Sequence, residues 1–316
     1  MRRTTISSLG LIAILAAACT SAGSSVAPSA ASPSAVAVVS SAPSVAPSAT
    51  PNVCAAANLT LVAPGKLTIG TDNPAYPPYY AENADGSKTA PWELGDPTNG
   101  QGFESATAYA IADQLGFTKD QVAWTYVPFD SSYAPGPKTF DIDVNQVSFS
   151  ADRAQAVDMS DGYYFVNQAV VSLADNPVAG VTSVADLAKY RFGAQTGTTS
   201  LKTITDVIKP TAETSLYDSN DAAISGLTAK HIDAIVVDLP TAFFMAAAQL
   251  DNGKVVGQFA APSGADAEHF SVVLPKGSAL TTCVNGAIAA ITEDYSLAAI
   301  TKEWLSDKVS APVFTP

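Results

Sequence analysis

Short β-branched runs alternate with helical patterns along residues 66–305, and this alternation constrains the fold more than any other feature of the chain. The apolar periodicity predicts strands over 66–71, 122–127, 140–147, 191–194 and 232–237. It predicts helices over 103–116, 181–189, 221–230, 285–293 and 296–305, and another after 200. Such alternation predicts an α/β fold with mostly parallel sheets. Ligands of these folds collect beyond the carboxyl ends of the strands, so the loops that follow the strands are expected to lie together.

The beginning of the chain lacks this pattern and indicates export. Arg2 and Arg3 precede an apolar run that is too short to span a bilayer and that ends in small residues before Cys19. Residues 15–19, Leu-Ala-Ala-Ala-Cys, resemble the lipobox of bacterial lipoproteins. The resemblance implies that residues 1–18 are a signal peptide and that Cys19 carries a lipid. The alternative is an ordinary secretory signal cleaved after an alanine.

Residues 20–52 are almost entirely Ala, Ser, Thr, Val and Pro, with no charged and no aromatic residue. Such a segment cannot bury enough apolar area to offset the entropy of ordering, so we predict a disordered tether over 19–52. The chain has 16 Lys+Arg and 29 Asp+Glu, a net charge of −13. Removal of Arg2 and Arg3 with the signal gives −13 − 2 = −15. This acidity excludes a general nucleic-acid binder.

The remaining cysteines, Cys54 and Cys283, lie at the two ends of the folded part. An even pair of cysteines in an oxidising compartment is expected to be bridged, so we predict a Cys54–Cys283 disulfide. The two histidines, His231 and His269, have no ligand-like spacing with them, and neither a metal nor another cofactor is predicted.

Seven stretches carry a family resemblance that covers roughly residues 59–306. They are 67–79, 102–105, 148–153, 157–164, 197–199, 232–238 and 283–304. In this order they resemble the type II solute-binding proteins of ABC importers, in the branch that binds polar amino acids. The resemblance implies a two-lobed α/β fold of the periplasmic-binding-protein type, with a hinged cleft. Lobe 1 is expected over 55–166 plus 267–316 and lobe 2 over 167–262, with crossings near 164–170 and 260–268.

The resemblance also implies how an amino acid would be held in the cleft. Arg153 would grip the carboxylate through two parallel hydrogen bonds, which lysine cannot form. Asp238 would accept from the ammonium, and Ser148 would serve the same two groups. Thr199, beside Thr198, would support the carboxylate from the opposite lobe.

The same residues also permit structural interpretations. Arg153 fits a surface ion pair with Asp152 or Asp158. Thr199 fits a helix N-cap, and Asp238 fits a solvated carboxylate at a strand end.

Further residues would shape the rest of the pocket. Tyr76 and Phe129 match the family's aromatic walls, with core packing as the alternative. Asp72 lies where some relatives contact a polar or cationic side chain, with a turn role as the alternative. Gln146, expected by strand alternation to share a face with Ser148, and Gln195 add amides. Unsatisfied amides would reject an aliphatic ligand, so a polar or basic amino acid is favoured.

The segment 80–101, which is rich in Gly, Asn, Asp and Pro and includes Trp92, is interpreted as an inserted loop. It would either shape the rim of the cleft or serve no specific role.

These features predict a monomeric, extracytoplasmic substrate-binding lipoprotein of an ABC importer. It would be held by its lipid at the outer face of the cytoplasmic membrane and would deliver its amino acid to the transmembrane permease subunits. One alternative is an enzyme on the same scaffold, similar to cyclohexadienyl or arogenate dehydratases. The sequence shows no nucleophile–base constellation for it. The other alternative is a ligand-binding sensor that acts through a membrane partner.

Overall fold

The structure, a computed structural model, describes residues 52–260, 267–305 and 310–316. The predicted signal peptide, the predicted lipid site at Cys19 and the predicted tether up to residue 51 lie outside the described residues.

Strands and helices alternate along the described part of the chain. The strands are β1 (Leu67–Thr71), β2 (Val122–Tyr126), β3 (Ile142–Asp143), β4 (Asp158–Phe165), β5 (Gln168–Leu173), β6 (Phe192–Gln195), β7 (Ser215–Tyr217), β8 (Ala234–Asp238), β9 (Gly253–Gln258) and β10 (His269–Leu274). The α-helices are α1 (Phe103–Gln114), α2 (Phe129–Tyr133), α3 (Arg153–Ala156), α4 (Val184–Leu187), α5 (Thr199–Lys202), α6 (Asn220–Thr228), α7 (Leu239–Phe244), α8 (Leu280–Glu293) and α9 (Ser296–Trp304). Segments of π-helix continue α5 over Thr203–Ile208 and α7 over Met245–Gln249.

The strands form two five-stranded sheets, in the orders β2-β1-β3-β10-β4 and β7-β6-β8-β5-β9. We call each sheet with its packed helices the first and the second lobe. In each sheet the first three strands of this order run parallel, and the fourth, β10 or β5, runs antiparallel to both of its neighbours. The chain passes between the lobes from β4 to β5 and from β9 to β10. The predicted two-lobed α/β fold is confirmed.

The second sheet is buried on both faces, which explains its nearly continuous apolar strands. In β8, Ile235 and Val237 pack into one core, and Ala234 and Val236 pack into the core on the opposite face. Alternate side chains of a strand point to opposite faces, so such a strand needs apolar residues at every position. This arrangement holds the strand rigidly and fixes the position of Asp238 at its end.

The predicted disulfide is confirmed, because Cys54 and Cys283 are bonded with their Cα atoms 5.3 Å apart. It joins the start of the described chain to α8. Cys283 is buried in the core of the first lobe, and Cys54 packs against that core.

Several elements differ from the sequence prediction. The strand predicted over 140–147 is only Ile142–Asp143, because the chain turns at Gln146, where φ is +48°. The helix predicted over 181–189 is reduced to Val184–Leu187, with Ser183 capping it as predicted. Helix α8 begins at Leu280 rather than 285, and β4, β5, β7, β9 and β10 were not predicted as strands.

The C-terminal tail also departs from the prediction, which placed 267–316 as a whole in lobe 1. Ala311 and Phe314 pack into the two cores of the second lobe, and Val313 forms a bridge with Gln258 of β9. The side chains of Ala311 and Phe314 are buried there, which explains why the chain returns to the second lobe. None of the helices in the described ranges combines the length and the apolar character that a membrane crossing requires.

Candidate ligand cleft between the lobes

All ten side chains predicted to bind a ligand line one cavity between the two lobes. They are Asp72, Tyr76, Phe129, Gln146, Ser148, Arg153, Gln195, Thr198, Thr199 and Asp238. The cavity has a water-accessible volume of about 60 Å³. A single water needs about 10–15 Å³ of such space, so the cavity suits a small solute.

Contacts between the lobes surround the cavity. Tyr79 Oη lies 3.2 Å from Thr241 Oγ1, and Thr199 Oγ1 donates to Ser148 Oγ over 3.4 Å. The exposed Lys202 pairs with Asp152 at 3.4 Å. These contacts join first-lobe to second-lobe residues, so the described arrangement is a closed one.

Arg153, the first residue of α3, is 8% exposed. Its Nη1 donates to Ser148 O at 2.5 Å, and its Nη2 donates across the cleft to Gly197 O at 2.8 Å. The guanidinium lies 4.3 Å from the Tyr133 ring centroid and 5.6 Å from that of Phe129, in cation–π contact. Burial lowers the pKa of Arg153, while the nearby Tyr133 raises it.

The alternative of a surface ion pair for Arg153 is wrong. Asp152 pairs with Lys202, and Asp158 pairs with Lys276 at 3.4 Å. Two of the five guanidinium N–H donors bond to carbonyl oxygens, which leaves three donors for other partners.

Asp238 ends β8 on the opposite side of the cleft. Its Oδ1 accepts a hydrogen bond from Gln168 Nε2 at 2.7 Å, and Oδ2 has no hydrogen-bond partner among the described residues. Burial raises the pKa of Asp238 well above its usual range, and the neighbouring Glu268 carboxylate acts in the same direction. A cation placed at Oδ2 would relieve both effects.

The second-lobe threonines differ in role. Thr198 is the N-cap residue of α5: its hydroxyl accepts from Leu201 N at 3.1 Å and donates to Gln195 O at 2.7 Å. The N-cap interpretation therefore applies to Thr198 and not to Thr199. Thr199 points its hydroxyl toward Ser148.

Two aromatic side chains, Tyr76 and Phe129, and the acid Asp72 also line the cavity. Tyr76 is half-buried, and its Oη is a buried atom with no hydrogen-bond partner within the described ranges. Burial and the nearby Asp221 carboxylate raise the pKa of Tyr76. Burial also raises the pKa of Asp72. Phe129 is half-buried and packs edge-on against Tyr133.

Gln146 lines the cavity, but for a reason other than the predicted strand alternation, because no strand extends to it. Its left-handed backbone is held by Glu104, whose carboxylate accepts from Gln146 N at 2.7 Å and from Gln146 Nε2. Tyr163 also donates to Glu104. Burial raises the pKa of Glu104 to about 7. The amide nitrogen of Gln146 therefore already has a partner.

Several cavity-lining residues were missed by the sequence analysis, among them Asn145, Asn220 and Thr241, and so were two polar residues behind the lining, Gln168 and Glu268. Gln168 begins β5, and Glu268 directly precedes β10, so they lie on the two segments that cross between the lobes. Ser148 Oγ donates to Glu268 Oε1 at 2.8 Å, and Gln168 Nε2 donates to the same oxygen at 3.0 Å. Their position at the predicted crossings was the only signal available.

Apart from Tyr80, which lines the cavity, the inserted loop supports the cleft from outside. Trp92 is buried in the core of the first lobe. Asn73 Nδ2 donates to Pro91 O, and Glu93 N donates to Asn73 Oδ1, both at 3.0 Å. The loop therefore braces the turn that carries Asp72 and Tyr76.

Arg153 is the only Lys, Arg or His among the described residues that line the cavity, whereas Asp72 and Asp238 are both acidic. Within the same ranges, no group of three or more His, Cys, Asp or Glu is arranged to hold a metal ion. The cavity thus pairs one buried cation with a larger number of acids.

Comparisons with known proteins agree with this architecture. Residues 67–307 match the sequence model of the family described as "Bacterial extracellular solute-binding proteins, family 3". The L-cystine-binding protein TcyJ of Escherichia coli strain K12 is 26% identical over 249 residues, which cover 78% of this chain and 85% of that protein.

Two solved structures share the fold. A structure titled as the solute receptors for L-cysteine of Neisseria gonorrhoeae has a TM-score of 0.60 and 26% identity, covering 76% of this chain and 90% of that one. An ancestral arginine-binding protein bound to glutamine has a TM-score of 0.61 and 24% identity, covering 77% of this chain and 99% of that one. The relatives are binding proteins, and the chain is a binding protein rather than an enzyme.

Proposed function

We propose that this chain, which belongs to family 3 of the bacterial extracellular solute-binding proteins, binds an amino acid in the cleft and delivers it to an ABC permease. The observation that carries the proposal is the pairing of Arg153 with Asp238, which come from opposite lobes and line one cavity. A free amino acid is a zwitterion and needs a cation for its carboxylate and an anion for its ammonium. The two residues supply both groups.

Arg153 is the proposed partner of the ligand carboxylate. Three of its N–H donors are available after its two bonds to carbonyl oxygens, and a guanidinium can present two of them in parallel to one carboxylate. Stacking on Tyr133 fixes the plane of the group. Thr199, from the facing lobe, would complete the carboxylate end with its backbone N–H, because its hydroxyl hydrogen points to Ser148.

Asp238 is the proposed partner of the ammonium, through Oδ2, which has no hydrogen-bond partner in the described part of the chain. The carboxylate is placed by a strand packed on both faces and by the bond from Gln168. Ser148 lines the same cavity and is linked to Asp238 through Glu268 and Gln168.

We further propose that the ligand side chain is polar or basic. The lining residues include two acids, Asp72 and Asp238, against one cation, so a zwitterion with an additional positive charge balances them. Asp72 and Tyr76 both line the cavity, and Asp221 and Asp72 both act on the Tyr76 hydroxyl. A distal ammonium or guanidinium would meet these acids. Cystine, which TcyJ is named for binding, also carries a distal ammonium, although a second carboxylate accompanies it.

The proposed cellular setting follows from the first 52 residues. The chain would be exported, lipidated at Cys19 and held as a monomer at the outer face of the cytoplasmic membrane. The tether would let the folded part reach the transmembrane subunits of its permease. The family description supports an extracellular location.

A thermal-shift screen of the purified protein tests the proposal. A ligand that binds only the folded state raises the melting temperature by mass action. We expect L-lysine, L-arginine or L-cystine to raise it, and L-leucine and L-glutamate to raise it far less. No shift with any natural amino acid would contradict amino-acid binding, and a shift confined to L-leucine would contradict the polar or basic side chain.

A further inference from the structure

Glu268 lies outside the set of ten cavity residues, yet two cleft donors converge on it. Ser148 Oγ donates to its Oε1 at 2.8 Å, and Gln168 Nε2 donates to the same oxygen at 3.0 Å. Glu268 is half-buried and lies just before β10, where the chain returns to the first lobe. It therefore contacts a first-lobe side chain and a crossing-strand side chain at once.

The direction of the Ser148 hydrogen bond follows from counting hydrogens. A serine hydroxyl has one hydrogen and two acceptor lone pairs. A carboxylate can only accept, so the Ser148 hydrogen points to Glu268. Thr199 Oγ1 then donates to Ser148 Oγ over 3.4 Å. What Ser148 can still present to the cavity is an acceptor, not a donor.

The direction of the Gln168 amide follows in the same way. Its Nε2 lies 2.7 Å from Asp238 Oδ1 and 3.0 Å from Glu268 Oε1, and its Oε1 accepts from Ser200 Oγ at 2.7 Å. The reverse orientation would bring the amide oxygen against two carboxylates, so this orientation is fixed by electrostatics. The Asp238 Oδ1 atom is thereby occupied, and Oδ2 is the oxygen that remains.

We propose that Glu268 is a positioning residue that fixes the hydrogen-bond directions of Ser148 and Gln168. The amino-group end of the cavity then offers acceptors only, and it selects a ligand group rich in N–H donors, an ammonium, over a hydroxyl at the same place. The proposal rests on the proposed function for the class of ligand. The hydrogen-bond directions themselves do not depend on it.

Other charged and titratable groups also act at this end of the cavity. Arg153 and Glu104 act on Asp238 electrostatically, and burial together with the Asp238 carboxylate raises the pKa of the Tyr79 and Tyr164 phenols. The ring of His269, the next residue, stacks on Phe149 at 5.4 Å between centroids, and its Nδ1 lies 3.0 Å from Ala267 O. Glu268 alone among these groups accepts from both Ser148 and Gln168.

The binding test compares Glu268→Gln, Ser148→Ala and the double variant by calorimetry. The probes are L-lysine, L-arginine and L-cystine, each with the analogue in which a hydroxyl replaces the α-amino group. Loss of a charged hydrogen-bond partner is worth about tenfold to a hundredfold. We expect Glu268→Gln to weaken amino-acid binding and to lower the preference over the hydroxy analogue by about that factor.

The double variant separates a positioning role from a structural one. Because Glu268 acts through Ser148, the loss caused by Glu268→Gln should be smaller in the Ser148→Ala background. Asp206→Asn is the matched control, because Asp206 is an acid of the adjoining groove that does not contact Ser148 or Gln168. It should leave affinity and preference unchanged. An unchanged preference ratio in Glu268→Gln, or strictly additive losses, would overturn the proposal.

A ligand-free measurement keeps this inference separable from the proposed function. Carbon-13 NMR of the Asp238 carboxyl should show a lower pKa in Glu268→Gln than in the wild type, because a neighbouring negative charge is removed. The side-chain amide resonances of Gln168 should move as well. If both stay unchanged, the arrangement around Glu268 is refuted. If they move while the three amino acids fail to bind the wild-type protein, the proposed function fails and the hydrogen-bond arrangement stands.

Discussion

Replacement of Arg153 by alanine gives the sharpest test of how the cleft works. The side chain is 8% exposed, donates to Ser148 O and Gly197 O, and stacks on Tyr133. The variant removes the only cation among the described lining residues. A ligand carboxylate would then be buried without a partner of opposite charge.

The size of the effect can be estimated from that loss. Leaving one member of a buried charge pair without its partner costs about 3–5 kcal/mol, which weakens binding by about 150-fold to 5,000-fold. Arg153→Lys keeps the charge but offers a point donor in place of a planar fork, so it should cost about tenfold to a hundredfold. The expected order of affinity is wild type, then lysine, then alanine.

Calorimetry with the amino acid that gives the largest thermal shift measures these losses. Arg191→Ala is the matched control, because Arg191 is the only other arginine that the structure describes and its salt bridge to Asp233, at 2.8 Å, is partly exposed. It should leave the Kd unchanged. Circular dichroism and melting curves verify that each variant is folded. A Kd for folded Arg153→Ala close to that of Arg191→Ala would refute the assignment of Arg153 to the carboxylate.

Three further predictions concern stability and anchoring. The free energy of unfolding should fall by about 3 kcal/mol as the pH rises from about 4.5 to about 7, because buried Glu104 has a pKa of about 7 in the folded state against 4.5 ordinarily. Below that window the Glu104 carboxyl is protonated in both the folded and the unfolded state. Asp143 and Asp238, whose pKa values are also raised by burial, act in the same direction. Urea unfolding at a series of pH values measures the effect, and a free energy of unfolding that stays constant or rises between these pH values would contradict it. Replacing both Cys54 and Cys283 by serine should cost about 5 kcal/mol, because the cross-link spans 229 residues; an unchanged urea midpoint would argue against it. Cys19→Ala should release the protein from membranes, and an acyl-free variant that still sediments with membranes would defeat the lipoprotein proposal.

Much of the cleft could be predicted because its residues lie at strand ends or in short local motifs. Asp238 follows a strand whose apolar run is visible in the sequence, and Arg153 and Ser148 belong to one stretch of six residues. The positions of these residues depend on where a strand or a short motif lies along the chain, and the periodic pattern of apolar residues in the sequence indicates this. That all ten line one cavity follows from the two sheets facing each other across the cleft. Their roles toward a ligand remain predictions.

The missed features depend on partners distant in sequence. Gln146 adopts a left-handed backbone because Glu104, 42 residues earlier, accepts from its N and Nε2. Strand alternation fails at that residue because it assumes extended backbone. Ser148 and Glu268 are 120 residues apart, and Gln168 and Glu268 are 100 apart. Periodicity locates elements but gives no information on which polar groups meet between them.

The pKa shifts of three cleft residues indicate that the charge of a ligand, more than its shape, decides which ligand is selected. Burial raises the pKa of Asp72 and Asp238 and lowers that of Arg153, so each group is held where its charged form is disfavoured. A bound group of opposite charge reverses each of these shifts. A ligand stabilises the closed arrangement only by the difference in its affinity for the closed and open states. A ligand that neutralises all three groups therefore gains more from closure than one that neutralises two, which is why we expect a cationic side chain to be bound more tightly than an aliphatic one of equal size.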